Sequence, residues 1–205
     1  MTDKHRIASD VAFTPSVKAI QSRKGSRNSY ARMESLSGWA TVISEALAEF
    51  IVGQTSVFLA TANSQGQPYI QHRGGPPGFL QVLDEHTIGF ADFNGNRQFI
   101  SWGNLAENPK AHLFLIDYTT RQRIKLWGTA RVVEDDKELI KRLMPANYRA
   151  TSEQAILFTV NAWDANCPQH IPERLGASDV AQALHDRDQR IAELEAEIRR
   201  ITAQR

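Results

Sequence analysis

The sequence predicts a mainly β fold: a six- to seven-stranded antiparallel barrel, preceded by N-terminal helices and followed by a heptad helix. Three observations carry this. Short β-prone segments follow one another between Gly-, Asn- and Asp-containing turns from residue 56 to 161. Helical periodicity is confined to segments around them. From Ser178 onward, Leu184, Ile191, Leu194, Ile198 and Ile201 fall on a and d positions. A serial antiparallel sheet must cover or pair its edges, and closure does so at least cost. The expected organisation is a basic helical arm over 1–35, a barrel over 36–172 and a C-terminal helix over 173–205.

The elements follow in order. Residues 1–33 hold seven basic residues against Asp3 and Asp10, a local charge of +5, and read as a solvated or packed arm, helical from Pro15. Nucleic-acid contact is not expected there, because the stretch has few interleaved aromatics besides Tyr30. Val42, Ile43, Ala46, Leu47, Phe50 and Ile51 recur at helical spacing, so 41–52 predicts a helix stopped at Gly53. Ser56–Ala62 and Pro68–His72 flank Asn63-Ser64-Gln65-Gly66 as a hairpin. Phe79–Leu83, Thr87–Ala91, Ala111–Asp117, Arg123–Val133 and Ala155–Asn161 are the remaining strands. Two helices interrupt them: Arg97–Ala106, started by Asn96, and Asp136–Met144, capped by Asp135 with Glu138 three residues on. The tail stripe either docks on the protein's own barrel or pairs with a second copy.

Composition narrows the function. The 205 residues carry 24 Lys and Arg against 23 Asp and Glu, so no global charge points to nucleic acid. A single cysteine excludes an intramolecular disulfide framework. No apolar run approaches the ~20 residues of a membrane span, and MTDKHRIASD has no apolar leader, so a cytoplasmic protein is expected. No dinucleotide, P-loop, zinc-protease or nucleophile-elbow motif is present, and the six histidines are scattered, so no metal site is expected.

Three segments could carry chemistry. The segment Phe90–Gln98, which includes Asp92, ends a strand, turns through Asn94-Gly95, and is expected to enter a helix at Asn96. Arg97 in a first helical turn opposes the dipole unless an anion, best a phosphate, sits there. The alternative is an arginine pointing to solvent or paired with an aspartate. In Gln71–Phe79, five of nine residues are Gly or Pro. Gly74 and Gly75 permit close approach to a flat ligand, with His72 and Arg73 at the entrance, unless the stretch is a barrel corner. After the last strand, Trp163, Gln169 and His170 could wall a planar ligand. Cys167 with His170 is a poor nucleophile–base pair, because no third member is evident.

Taken together, SVFLATANSQGQPYIQ, FADFNGNRQ, LAENPKAHLFLID and RIKLWGTARVVE resemble, in that order, the pyridoxamine 5'-phosphate oxidase-like superfamily of FMN-binding split β-barrels, from about Ser56 to Glu134. The resemblance implies a split barrel, FMN as cofactor, and a homodimer with FMN at or near the interface. It implies that Asn96-Arg97-Gln98 stands where the family's Ser-Arg-Lys-like triplet holds the phosphate. Arg123, or Gln122 one residue earlier, takes the place of the polar residue at the flavin pyrimidine edge. In the first FMN strand, Gln71 occupies the family's arginine position by count and Arg73 does so by type. The chain departs from pyridoxamine phosphate oxidase itself: Gln98 replaces a lysine, HRGGPPG looks inserted, and NCPQHIPERLG stands in place of the Arg-x-His substrate signature. The implied function is therefore an FMN flavoprotein, an oxidoreductase acting on a small molecule with a donor such as NAD(P)H. It resembles an uncharacterised subgroup. The alternative is a non-enzymatic binder of flavin, haem or deazaflavin, or a redox sensor.

Overall fold

The structure is a computed structural model that describes residues 7–166 and 168–203. It divides into two compact units, one of residues up to 116 with 123–167, the other of 117–122 with 168–205. Cys167 lies outside the described residues, as do His5 and the first charges of the arm.

In the first unit, α1 (Pro15–Lys24) and α2 (Arg27–Leu36) form the arm, and α3 (Glu45–Gly53) leads into the sheet. The arm helices are short and weakly amphipathic, so charge holds them. Glu34, almost buried, takes Arg27 as an ion-pair partner and lies 3.7 Å from Lys18. Helix α3 starts at Glu45 and not 41, because the Ser44 hydroxyl accepts from the Leu47 N–H and fixes the cap.

The strands are β1 (Ser56–Ala62), β2 (Pro68–Gly74), β3 (Gln81–Val82), β4 (Thr87–Phe93), β5 (Lys110–Asp117), β6 (Gln122–Val133) and β7 (Ser152–Asn166). They form one antiparallel sheet in the order β2-β1-β5-β6-β7-β4-β3. No backbone ladder joins β2 to β3, so the sheet is split and not closed. Alternation does the rest: Val57 and Leu59, Leu113 and Leu115, Leu126, and Ile156 and Phe158 all point inward and are fully buried. Leu47 and Ile51 of α3 pack on this core.

Several elements differ from the sequence reading. Residues 75–80 fold back on α3, with the Gly75 N–H donating to Thr55 O and the Gly78 N–H to Val52 O. That places Phe79 and Leu80 in the core and shortens β3 to two residues. The Gly/Pro-rich loop is thus a barrel corner. Helix α4 spans Ile100–Glu107 and does not begin at Asn96. Helix α5 (Lys137–Leu143) is capped by Asp136, whose carboxylate accepts from the Leu139 N–H at 2.8 Å, and not by Asp135. Strand β7 runs five residues past Asn161, so Trp163 belongs to a strand and not to a following loop.

Strand β7 carries two register shifts. Trp127 opposes Ala162 and Gly128 opposes Val160, which leaves Asn161 extra. Asp92 opposes Gln154 and Phe93 opposes Ser152, which leaves Glu153 extra. Such bulges re-aim side chains.

The second unit holds α6 (Ala177–Ala203) and the turn at 117–122. There the Thr119 hydroxyl donates to Arg174 O at 3.0 Å, and the Arg174 guanidinium lies 4.2 Å from the Tyr118 ring centroid.

Candidate functional site

One cavity collects half of the residues expected of a binding site. Strand β2 presents Tyr69, Gln71 and Arg73 to it, strand β4 presents Asp92, and residues 94–99 with the first turn of α4 complete the wall. The period of two in β2 decides which side chains enter: odd-numbered residues face the cavity, while Ile70 and His72 face away.

The floor is charged and half of it is paired. Arg73 Nη1 lies 2.7 Å from Asp92 Oδ1, both side chains nearly buried. Gln154 Nε2 donates to Asp92 Oδ2 at 2.8 Å, so β7 supports the carboxylate from behind. Arg73 Nε is buried and has no hydrogen-bond partner. On the opposite wall the Ser101 hydroxyl donates to Gln71 Oε1 at 3.2 Å and the Tyr69 hydroxyl approaches the same oxygen at 3.4 Å.

The rim is different. Asn96, Arg97 and Gln98 are exposed, and the Gln98 N–H donates to Asn96 Oδ1 at 3.2 Å. Arg97 and Phe99 both take left-handed backbone, at φ 56° and 53°. That conformation is costly for side chains of this size, and it is why the helix starts three residues later than the sequence suggests. Phe99 caps α4 without a side-chain hydrogen bond. The first N–H groups of the helix are therefore left to other acceptors. Arg97 stacks over Phe99 at 5.7 Å and has no carboxylate partner among the described residues.

Gln71, Arg73, Asp92, Asn96, Arg97 and Gln98 are thus brought together. Other expected residues lie elsewhere. The His72 ring nitrogen sits 2.7 Å from the Ser56 hydroxyl on the outer face. Gly74 ends β2 where a Cβ would press on the His72 ring and Thr55 O. Arg123 opens β6 opposite Asn166, and its buried Nε has no partner. Trp163 donates its backbone N–H to Ala40 O and its indole N–H to Val42 O, both at 2.9 Å. Gln169 and His170 belong to the second unit, where both are exposed. Sequence reasoning missed Tyr69, Ser101 and Gln154. Tyr69 was accessible through the alternation of β2; Gln154 needed the β4–β7 register.

Chemically, the cavity offers an uncompensated guanidinium, uncapped helix N–H groups, two hydroxyls and an amide. Among the described residues of the cavity, no hydroxyl is hydrogen-bonded to a histidine or a carboxylate. Among the described residues no group of three His, Cys, Asp or Glu could hold a metal ion, and no helix is long and apolar enough to cross a membrane.

A family model described as pyridoxamine 5'-phosphate oxidase matches residues 43–167. The chain belongs to this family. Pyridoxamine 5'-phosphate oxidase family barrels are mainly β with flanking helices, as found here. Among solved structures, the chain is similar to HupZ of Group A Streptococcus at 18% identity, covering 65% of this chain and 99% of that one, with a TM-score of 0.48. It is similar to an FMN-binding protein of Syntrophomonas wolfei subsp. wolfei at 12%, covering 73% and 97%, with a TM-score of 0.44. It is also similar to HutZ, the haem storage protein of Vibrio cholerae, at 17%, covering 60% and 93%, with a TM-score of 0.40. No curated protein matches.

Proposed function

We propose that the chain binds flavin mononucleotide in the cavity between β2, β4 and residues 94–99, and serves as an oxidoreductase on a small molecule. One observation carries this reading: Arg97, without a carboxylate partner, beside the uncapped start of α4. A guanidinium and free helix N–H groups together make an anion site. The residues fit the group in a second respect, since the buried Arg73 Nε lacks an acceptor. In this reading Asn96, Arg97 and Gln98 hold the phosphate, and Gln71, Ser101 and Arg73 hold polar groups deeper in the cavity. Asp92 orients Arg73 and cancels its charge, leaving Arg97 as the cation for the phosphate. When bound, the flavin supplies the hydride and electron chemistry, with a donor such as NAD(P)H.

We further propose a homodimer. The outward face of β2, β1 and β5 carries Ile70, Phe58 and Phe114, an apolar surface suited to a second copy. Arg123, outside this chain's own cavity, would then reach the flavin of the partner. A cytoplasmic location rests on the single cysteine.

The test is a pair of titrations with FMN and riboflavin. Arg97→Ala is expected to weaken FMN by about 1.5–3 kcal/mol, while riboflavin binding barely changes. Equal loss for both ligands would remove Arg97 from the phosphate. Turnover of NAD(P)H on an acceptor separates an enzyme from a carrier.

A further inference from the structure

Within its own unit, helix α6 leaves all six of its large aliphatic side chains uncovered: Val180, Leu184, Ile191, Leu194, Ile198 and Ile201 are each 40–62% exposed. A 27-residue helix with an unburied stripe gains little from packing, and lone helices in water are marginal. The stripe needs a cover. Its spacing, three, four and three residues from Ile191 to Ile201, puts Leu184, Ile191 and Ile198 at a, and Val180, Arg187, Leu194 and Ile201 at d.

We propose that α6 pairs with α6 of a second copy as a parallel, two-stranded coiled coil. Three features of the chain choose that occupant and that orientation. First, Ile at a with Leu at d over 191–198 is the combination that favours two parallel strands. Second, the flanks are complementary in that direction. Arg190 stands at g and Glu195 at e, five residues on, so each Arg190 meets Glu195 of the other helix, a contact made twice per dimer. Within one chain Arg190 leans on Glu193 at 2.8 Å, an exposed contact that holds it weakly. Third, the antiparallel arrangement with the largest overlap sets Arg187 beside Ile191 and brings like charges together, Asp188 on Asp188 and Arg190 on Arg190.

Arg187 is the exception in the seam. It sits at d and pairs with Asp188 of its own chain at 3.2 Å. A cation there costs stability, but it penalises any slip that would place it against Ile191 or Leu194, so it fixes register. The strong half of the coil is therefore its C-terminal half.

The experiment uses the full chain with Cys167→Ser and Ile201→Cys, oxidised under native conditions and run on a non-reducing gel. In the parallel pair the two new thiols are neighbours at d, and most of the protein is expected as covalent dimer. In an antiparallel pair position 201 faces 177 or 184, so the thiols stand about 25 Å or more apart at 1.5 Å per residue and no cross-link forms. Adding Arg190→Glu is expected to slow cross-linking roughly fivefold, and adding Glu195→Arg to that variant restores it. Absence of the cross-link, or a charge swap without effect, overturns the proposal. Neither result touches flavin binding, which is read from the absorption of the same samples.

Discussion

Gly128 and Gly95 sit in opposite surroundings. At Gly128 a Cβ would lie 2.0 Å from the Thr159 carbonyl oxygen and 2.8 Å from the Phe158 ring. At Gly95 nothing lies within 4 Å. The first glycine is where β6 and β7 change register, inside the core; the second is in the loop that rims the cavity. The scaffold is filled to the point that one methyl group is too much, and the rim is built with room. The same chain keeps its packing energy in one place and its accessible polar groups in another.

The contrast can be broken in order of expected effect. Gly128→Ala is expected to cost about 3 kcal/mol or more, because backbone must move; denaturant unfolding reads it, and a loss below 1 kcal/mol would show that the bulge is soft. Asp92→Ala leaves the Arg73 cation nearly buried without a counterion. We expect a loss of about 2–4 kcal/mol, and Arg73→Met combined with it should recover much of that loss.

His112 tests the outer face of the sheet, where its ring meets Trp127 edge-on at 4.9 Å. Burial first, and the Lys125 charge second, push its pKa down to about 4. A neutral histidine in the fold and a protonated one in the unfolded chain mean that stability is complete above pH 6.5 and falls as pH drops toward 4. With the ring only partly shielded, the loss is about 1–2 kcal/mol. His112→Leu should flatten that leg of the pH–stability curve. Smallest of all, Gly95→Ala is expected to stay within about 0.5 kcal/mol of the parent, and a larger loss would mean that the rim is packed after all.

The division between scaffold and rim also explains what could be read from residues alone. Strand β1 was legible to the residue, because an apolar run ends in the Asn63–Gly66 turn, whose Asn63 carboxamide accepts from the Gln65 and Gln67 N–H groups. The heptad in α6 was legible because its period repeats. The start of α4 was not, since the left-handed turns at Arg97 and Phe99 come from tertiary fit and no local residue type announces them. The same holds for the cavity floor. Arg73 and Asp92 each suit many roles in sequence, and only the strand order sets one against the other. His72 was misplaced for a simpler reason: a one-residue step along a strand moves a side chain to the opposite face.

Strand β2 is first in the sheet order and β4 is sixth, yet Arg73 and Asp92 touch across the gap. That single ion contact acts as a clasp on the curvature of the whole sheet. A molecule that kept every ladder but flattened slightly would retain its far-ultraviolet dichroism and lose the hollow beside Arg97. Recognition at the rim is therefore a gauge of how tightly the sheet is rolled, and a substitution that opens the clasp should blind the protein to its ligand before it unfolds.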